Sequence, residues 1–444
     1  MSGPDSIEPE LPPASTAHLH THADGTVHAP EHAPGPTDPP SLYRGFPPRS
    51  LHAGRVFHGI GVDVPAPGRP MLARLREAFA APFQGLTSDG CVRRGLYPLQ
   101  HTGASSAPIV DAAQAYLRRL RRRDFRRLAL EPLTSPDRLR WINAFPDWMP
   151  TGLWLADLEA DERAAALDVI GASLSTRGFA QTRDAMRVNQ ALGEFIGHSN
   201  DSICEHGYFF TIFGEPSATT PWGWRLMGYH LVIYCTLVGS QMVLTPAFVG
   251  AEMAEIETGP YAGTSVLQEE QRGGLELASS LSAAQRARAV LHPSMNRAEL
   301  PSALSGLDGR HLAGAGQDNR IIPYEGLPAE SLSAGQRARL LALMDLYIGR
   351  QAEPFAAQRR AEVRQSLDAT HFAWIGDPDR VPFYYRIHSP VILIEFDHHS
   401  GVFIASDQPE PFHIHTIVRT PNGNDYGLDL LRQHYALFDH PTTA

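Results

Sequence analysis

The sequence predicts an α+β fold, in which an antiparallel sheet takes its strands from the middle and the C-terminal part of the chain and packs with many helices. Three observations predict this fold. Apolar residues recur at helical spacing up to about residue 197. From residue 208 to 249, and again from 383 to 418, they recur at the two-residue period of strands. Helical patterns fill the interval between these two β regions.

The N-terminal residues 1–48 differ in composition from the rest of the chain. They are rich in Pro, Ala, His, Ser and Thr and poor in large apolar side chains, which predicts a disordered tail. Flexible imidazoles bind Ni²⁺, Cu²⁺ or Zn²⁺ reversibly, and an incidental low-complexity segment is the alternative. The tail holds His18, His20, His22, His28 and His32. No linker composition interrupts residues 50–444, which predicts a single domain.

The first part of this domain is predicted to be helical, to about residue 197. Four helices are expected, around residues 72–83, over 112–130, from 157 to a stop at Gly178, and over 180–196. A strand over 208–213 follows, and then a hairpin of residues 229–238 and 241–249 around Gly239 and Ser240.

Helices return between the two β regions. Ser282 and Ser333 are each followed three residues later by glutamine, the capping-box signature of a helix start. Residues 361–374 are interpreted as a further helix, and residues 428–438 as the closing one.

The basic residues exclude several classes of enzyme. All 38 are arginine, so no lysine can anchor pyridoxal phosphate, complete a P-loop or serve as a kinase lysine. No G-x-G-x-x-G fingerprint occurs, which disfavours a nicotinamide cofactor.

Charge and cysteine content indicate which partners and which cellular compartment to expect. The formal net charge of −10 argues against nucleic acid as a partner. The three cysteines form no C-x-x-C pair, as expected in a reducing cytoplasm. No secretory signal or membrane-spanning apolar stretch is visible, so cytoplasmic localisation without membrane contact is expected.

Two β-type segments near the C-terminus carry ionisable residues at alternate positions. His413 and His415 are expected to share one strand face, about 6–7 Å apart along the strand, where two imidazoles can chelate one ion. Glu395 and Asp397 share a face of the preceding segment. Such residues destabilise an apolar strand unless they are paired or ligated, so a metal site is the leading hypothesis, and hydrogen-bonded core histidines are the alternative.

A third metal ligand is expected from the middle of the chain. His230 is the first choice, on a hairpin strand that also carries Val232 and Tyr234. The carboxylate alternatives are Glu252, Glu395 and Asp397. Three protein ligands leave one position open for water or for a substrate oxygen. The ion is expected to be divalent zinc, iron or copper.

The remaining candidates surround this metal site. Glu395, Asp397 and Arg386 are the candidate catalytic residues, because carboxylates can orient imidazoles or act as a general base. Arginines in strands can bind a substrate carboxylate, and structural ion pairs are the alternative. Aromatic residues can line a pocket or simply pack in the core. The candidate substrate-binding residues are Trp222, Trp224, Arg225, Tyr385 and Arg419.

Two further histidine-containing segments are interpreted differently. Residues 197–201 resemble a nucleophile elbow only superficially, because Asp201 stands where that motif needs glycine. His398 and His399 are adjacent and cannot face one site from one strand, so at least one is expected in a surface turn.

Five blocks of the sequence together resemble a known family: residues 221–231, 243–252, 383–387, 393–397 and 413–416. Over about residues 130–440 the chain resembles the "domain of unknown function 3500" family of bacterial and fungal proteins. Family members tend to show His-His-Leu where this chain has Tyr229, His230 and Leu231, so only His230 of that pair carries over. The family has no settled activity, and the resemblance therefore implies a shared pattern rather than a mechanism.

The expected function is that of a metal-dependent enzyme acting on a small polar substrate, with metal-assisted hydrolysis as the first hypothesis. A non-haem iron or copper oxidoreductase is the second, since imidazole suits those ions equally. A non-catalytic protein that binds metal or a small ligand is the third.

Overall fold

The computed structural model describes residues 69–146, 149–197, 203–307 and 310–438, with a few positions nearer the N-terminus. Two units are distinguished, Met1–Gly45 and Phe46–Ala444. In the first unit the described strands are β1 (His20–Thr21) and β2 (Val27–His28), which pair antiparallel with His20 opposite His28. The disorder predicted for residues 1–48 falls largely outside the described residues.

Ten helices lie in the described part of the second unit. They are α1 (Arg69–Ala80), α2 (Ala107–Arg119), α3 (Arg123–Ala129), α4 (Ala160–Ser173), α5 (Thr176–Ile196), α6 (Gln268–Ser279), α7 (Ala283–Ala289), α8 (Ala334–Ile348), α9 (Phe355–Gln365) and α10 (Leu428–Leu437). No helix among the described residues combines the length and the apolar character needed to cross a membrane.

In the described part of the same unit, thirteen strands form one mixed sheet. They are β3 (Leu130–Glu131), β4 (Leu153–Trp154), β5 (Tyr208–Phe213), β6 (Trp222–Gly228), β7 (Leu231–Val238), β8 (Gln241–Val243), β9 (Ala247–Ala251), β10 (Val290–His292), β11 (Leu327–Pro328), β12 (His371–Gly376), β13 (Phe383–His388), β14 (Leu393–Ser400) and β15 (Pro409–Arg419). Their main order is β10-β12-β13-β14-β15-β9-β7-β6-β5-β3. The predicted α+β class is therefore confirmed, although the outer pairs β10–β12 and β3–β5 are parallel.

The pairing of β9 with β15 joins the two halves of the sheet. The two strands run antiparallel, from Ile414 opposite Ala251 to Val418 opposite Ala247. Strands from the middle of the chain thus continue directly into the C-terminal strands, as the sequence predicted. This junction brings residues about 165 positions apart into register, and the candidate site lies at it.

The two faces of the sheet bury different cores. Ile414 and Val418 of β15 belong to a large core that includes apolar residues of α2, α4, α5, α6 and α8. Ile417 points to the other face, where it joins Phe248, Leu312 and residues of α1 in a smaller core. Irregular segments therefore cover much of this second face, and the candidate site side chains project into it.

Three predicted element boundaries were wrong. The helix expected over 112–130 is two helices, because the chain breaks after α2 and the Arg121 N–H donates to Glu162 Oε1 at 2.9 Å. Gly178 does not end a helix but lies in the first turn of α5, where a Cβ would come within 2.2 Å of the Arg350 carbonyl oxygen. The helix expected over 361–374 stops at Gln365, and β12 follows because its residues pair with β13.

Candidate metal centre

His413 and His415 project side by side from β15 into the second face of the sheet. His415 lies in register between Asp397 on β14 and Gly250 on β9. Because the two residues are two positions apart on a strand, their rings share one face, and their Nε2 atoms are 2.9 Å apart. The predicted placement of this pair is therefore confirmed.

His230 lies in a turn and not on a hairpin strand, which corrects the sequence prediction. Tyr229 and His230 form the two-residue connection between β6 and β7, and His230 has a left-handed φ of 58°. The Asn143 carbonyl accepts its N–H at 2.9 Å, and its own carbonyl accepts the Gly250 N–H at 2.7 Å. These bonds fix the turn against β9, so that the imidazole faces β15.

The three Nε2 atoms form a compact triangle. His230 Nε2 lies 3.2 Å from that of His413 and 3.0 Å from that of His415. Tetrahedral zinc with bonds of about 2.0–2.1 Å would separate its ligand atoms by roughly 3.3 Å, close to these distances. The three histidines form a possible metal-binding group, with all three buried.

The hydrogen bonds around the triangle determine which ring nitrogens carry protons. The Ser400 carbonyl lies 2.7 Å from His413 Nδ1 and can only accept, which assigns the proton to Nδ1 and leaves a lone pair on Nε2. Asp397 Oδ1 lies 3.3 Å from His415 Nδ1 without a well-aligned hydrogen bond, and its negative charge favours a proton on that nitrogen too. The Nε2 lone pairs of His413 and His415 then face each other, and a cation between them stabilises this arrangement.

Burial also keeps these imidazoles neutral. Burial, followed by repulsion from neighbouring imidazoles, holds the pKa of His230 and of His413 well below their usual range. Burial likewise lowers the pKa of His415, although Asp397 opposes the shift. Burial raises the pKa of Asp397, but His311 and His415 outweigh it and hold that pKa well below the usual range. The result is a set of neutral donors beside one carboxylate.

His311 is a member of the site that sequence reasoning missed. Its Nε2 lies 3.1 Å from Asp397 Oδ1, and both side chains are fully buried. His311 lies in an irregular segment more than eighty residues before Asp397, so no strand or helix period signals its position. Asp397, predicted as a catalytic residue, thus lies between two imidazoles.

Glu252 belongs to a clamp beside the triangle. Its Oε1 accepts the backbone N–H groups of Val402, Phe403 and Ile404 at 2.6, 2.5 and 2.7 Å. Its Oε2 accepts the Tyr229 hydroxyl at 3.0 Å. Burial raises the pKa of Glu252 to about 7, although these hydrogen bonds act to lower it. The carboxylate thus ties the His230 turn to the loop between β14 and β15.

Glu395 and Arg386, the other predicted catalytic residues, hold neighbouring segments. Glu395 accepts the N–H groups of Leu312 and Ala313 at 2.9 and 2.8 Å and the Tyr384 hydroxyl at 2.6 Å. Arg386 pairs with Glu325 at 2.5 Å. Glu395 therefore fixes the backbone immediately after His311.

The arginines predicted to bind substrate are buried and have protein partners. Arg225 donates to the carbonyls of Asp137 and Arg140 at 2.9 and 2.6 Å. Arg419 pairs with Asp425 at 2.8 Å and with Asp318 at 2.6 Å. The structure brings neither guanidinium into the histidine triangle.

The aromatic substrate-binding candidates lie in the large core on the opposite face of the sheet. Trp222, Trp224 and Tyr385 are fully buried there. The Trp224 indole donates to Ser173 Oγ at 2.9 Å, and the Tyr385 ring stacks on Phe396 at 5.1 Å. The structure does not place them beside the triangle.

His398 and His399 both lie on β14, so the surface turn predicted for at least one of them was wrong. A register shift separates them. His398 is buried on the far face and contacts Gln271 Oε1 at 2.7 Å. The half-buried His399 ring lies 5.1 Å from the rings of both His413 and His415. Of the segment 197–201 that resembled a nucleophile elbow, all but Gly197 falls outside the described residues.

The sequence profile described as "Protein of unknown function (DUF3500)" matches residues 102–428. The chain belongs to the DUF3500 family. The matched segment contains all of β5–β9 and β12–β15, and so both halves of the sheet that build the histidine triangle in this DUF3500 protein. No curated protein and no solved structure matches the chain.

Gly250 offers a test of how closely β9 supports the centre. A Cβ at this position would lie 2.6 Å from His415 Cδ2 and 2.8 Å from the Ile414 carbonyl oxygen. We expect Gly250→Ala to displace the His415 ring, to lower the free energy of unfolding by about 1–3 kcal/mol and to weaken zinc binding. Urea unfolding and competitive zinc titration measure the two effects. Gly335→Ala, where a Cβ meets only the end of a flexible arginine at 3.7 Å, is the control.

Proposed function

We propose that this protein is a metal-dependent enzyme that hydrolyses a small polar substrate at His230, His413 and His415. The observation that carries the proposal is the convergence of three Nε2 atoms within 2.9–3.2 Å, with no carboxylate oxygen among them. Three neutral ligands leave the full charge on a divalent ion, and such an ion lowers the pKa of a coordinated water towards neutrality.

The size of the proposed substrate follows from the burial of the centre. His413 is fully buried, and only 6% of His230 and 5% of His415 is exposed. So enclosed a centre suits water and a small molecule better than a large substrate. His399, half-buried beside His413 and His415, supplies a further imidazole outside the proposed ligand set, and we propose it as the group that transfers protons.

A second candidate function is a non-haem iron or copper oxidoreductase. The observation that supports it is the all-imidazole set of candidate ligands, one of which lies among aromatic rings. The buried Tyr229 ring lies 4.1 Å from His230, and the Phe403 ring lies 5.5 Å from Tyr229. Imidazole binds iron and copper as well as zinc. A non-catalytic metal-binding role uses the same ligands, and activity separates it from both enzymes.

Metal removal tests the proposal. We expect the full-length chain, purified without an affinity tag, to hydrolyse p-nitrophenyl acetate only while it contains metal. Dialysis against 1,10-phenanthroline should abolish the activity, and stoichiometric Zn²⁺ should restore it. Melting temperature should fall with metal removal, since an ion at about 100 times its Kd stabilises a fold by about 2.7 kcal/mol.

The control is reloading with Mg²⁺, which prefers oxygen ligands and should not restore activity. Restoration by Fe²⁺ or Cu²⁺ with consumption of dioxygen would favour the oxidoreductase. Hydrolysis that survives complete metal removal would contradict the proposal.

A further inference from the structure

A second group of potential ligands adjoins the triangle. It consists of His311 Nε2, Asp397 Oδ1 and His415 Nδ1, the nitrogen that does not face the triangle. Asp397 Oδ1 lies 3.1 Å from the first nitrogen and 3.3 Å from the second, and the three side chains are buried. These distances again match the separation of atoms that share one tetrahedral ion, roughly 3.3 Å.

The alignment of the contacts distinguishes this group from an ordinary hydrogen-bonded carboxylate. Both Asp397 oxygens are buried and accept no well-aligned hydrogen bond from the described residues. His415 Nδ1 likewise has no well-aligned partner there. A buried carboxylate without such bonds is costly, and a cation at close range compensates it.

We propose that His311, Asp397 and His415 bind a second divalent ion, which makes the centre dinuclear with His415 as the bridge. His415 would bind the first ion through Nε2 and the second through Nδ1. Its Nδ1 proton then leaves to solvent as the new bond forms, and the resulting imidazolate and the Asp397 carboxylate together balance the charge of the second ion. Two nitrogens and one oxygen suit borderline ions such as Zn²⁺ or Cu²⁺.

The backbone around His311 is held in place for this role. The carbonyl of His311 accepts the Gln317 side-chain amide at 2.8 Å. The next two residues donate their N–H groups to Glu395. The Phe248 ring lies 5.6 Å from His311 and 5.3 Å from His415, so apolar surface borders the group. A ligand set on a fixed backbone needs little reorganisation to bind an ion.

Copper titration of the full chain tests the proposal, which rests on the first ion proposed above. Wild type, His311→Ala and His413→Ala are loaded with Cu²⁺, passed through gel filtration and analysed for copper per chain. The N-terminal histidines are present in all three, so their copper cancels in the differences. We expect wild type to retain one more ion than His311→Ala and one more than His413→Ala.

Paramagnetic resonance of the wild type gives a second readout that needs no variant. Two Cu²⁺ ions joined by an imidazolate couple magnetically, so we expect the integrated spin to fall well below the copper content. Equal copper in wild type and His311→Ala, with full integrated spin, would overturn the second site. In that case, a loss of one ion in His413→Ala would leave the first site supported. If neither variant loses an ion, the proposed function fails as well.

Discussion

Replacing both His413 and His415 by alanine should remove the tightly bound metal and abolish metal-dependent activity. The two residues supply two corners of the Nε2 triangle, and a lone His230 cannot hold the ion. Removing a residue that merely orients a metal ligand lowers metal affinity or activity by about 10–100-fold, and we expect the double variant to lose more than that. Elemental analysis and the hydrolysis assay measure the two losses.

The double variant should still fold. Each of the two truncations leaves a cavity that costs about 2–5 kcal/mol, and a chain of this size, at about 0.05–0.15 kcal/mol of stability per residue, tolerates both. Circular dichroism and thermal unfolding check this point. His398→Gln is the matched control, a buried histidine of the neighbouring strand that points to the opposite face. Unchanged metal content in the double variant would disprove the ligand assignment.

The strand-borne part of the site could be predicted because strands have a fixed period. Alternation alone places His413 and His415 on one face, and also Glu395 and Asp397. The same period identified the middle and C-terminal strands, which the β9–β15 pair joins. What the period cannot give is the register between distant strands, and the sequence therefore left open which residues face His415.

The loop-borne part could not be predicted, since irregular backbone has no period. His230 adopts a left-handed conformation in a two-residue turn, a place where the sequence signal is usually Gly, Asn or Asp. His311 reaches the site from a segment with no regular structure. Its position depends on hydrogen bonds to Glu395 from the two residues that follow it.

The carboxylates show a second limit of sequence reasoning. Ionisable residues in apolar strands do indicate buried polar contacts, and the structure contains them. The sequence does not say whether the partner is an ion or the backbone. Glu252 and Glu395 both receive backbone N–H groups from loops that come close only in the fold. Of the three carboxylates Glu252, Glu395 and Asp397, it is Asp397 that lies beside a histidine of the triangle, 3.3 Å from His415 Nδ1.

Glu252→Ala should have a large effect on both stability and metal binding. Three backbone N–H groups of residues 402–404 lose their acceptor, and an unsatisfied buried donor costs about 1–3 kcal/mol. The Tyr229 hydroxyl loses its partner as well, so the turn that carries His230 is released. We expect a fall of at least about 3 kcal/mol in the free energy of unfolding, measured in urea, and weaker zinc binding.

The Glu252→Gln variant distinguishes two roles for Glu252, a clamp that holds backbone N–H groups and a metal ligand. The amide oxygen can accept the same three N–H groups, so a clamp predicts that metal content stays at the wild-type level. A ligand predicts a loss, because a neutral amide binds zinc poorly. Metal content that falls as far in the glutamine variant as in the alanine variant would show that Glu252 binds the ion.

The glutamine variant should also change how stability depends on pH. Burial raises the pKa of Glu252 from its ordinary 4.5 to about 7, so the folded chain binds the proton more tightly than the unfolded chain does. This group's contribution is complete below about pH 4.5 and is lost as pH rises through 7. Relative to Glu252→Gln, wild type should therefore lose about 3 kcal/mol across that interval. Urea unfolding of both proteins at pH 4.5 and pH 8 measures the difference. Parallel pH profiles of the two proteins would contradict the prediction, because they would show that the Glu252 carboxyl titrates alike in the folded and the unfolded chain.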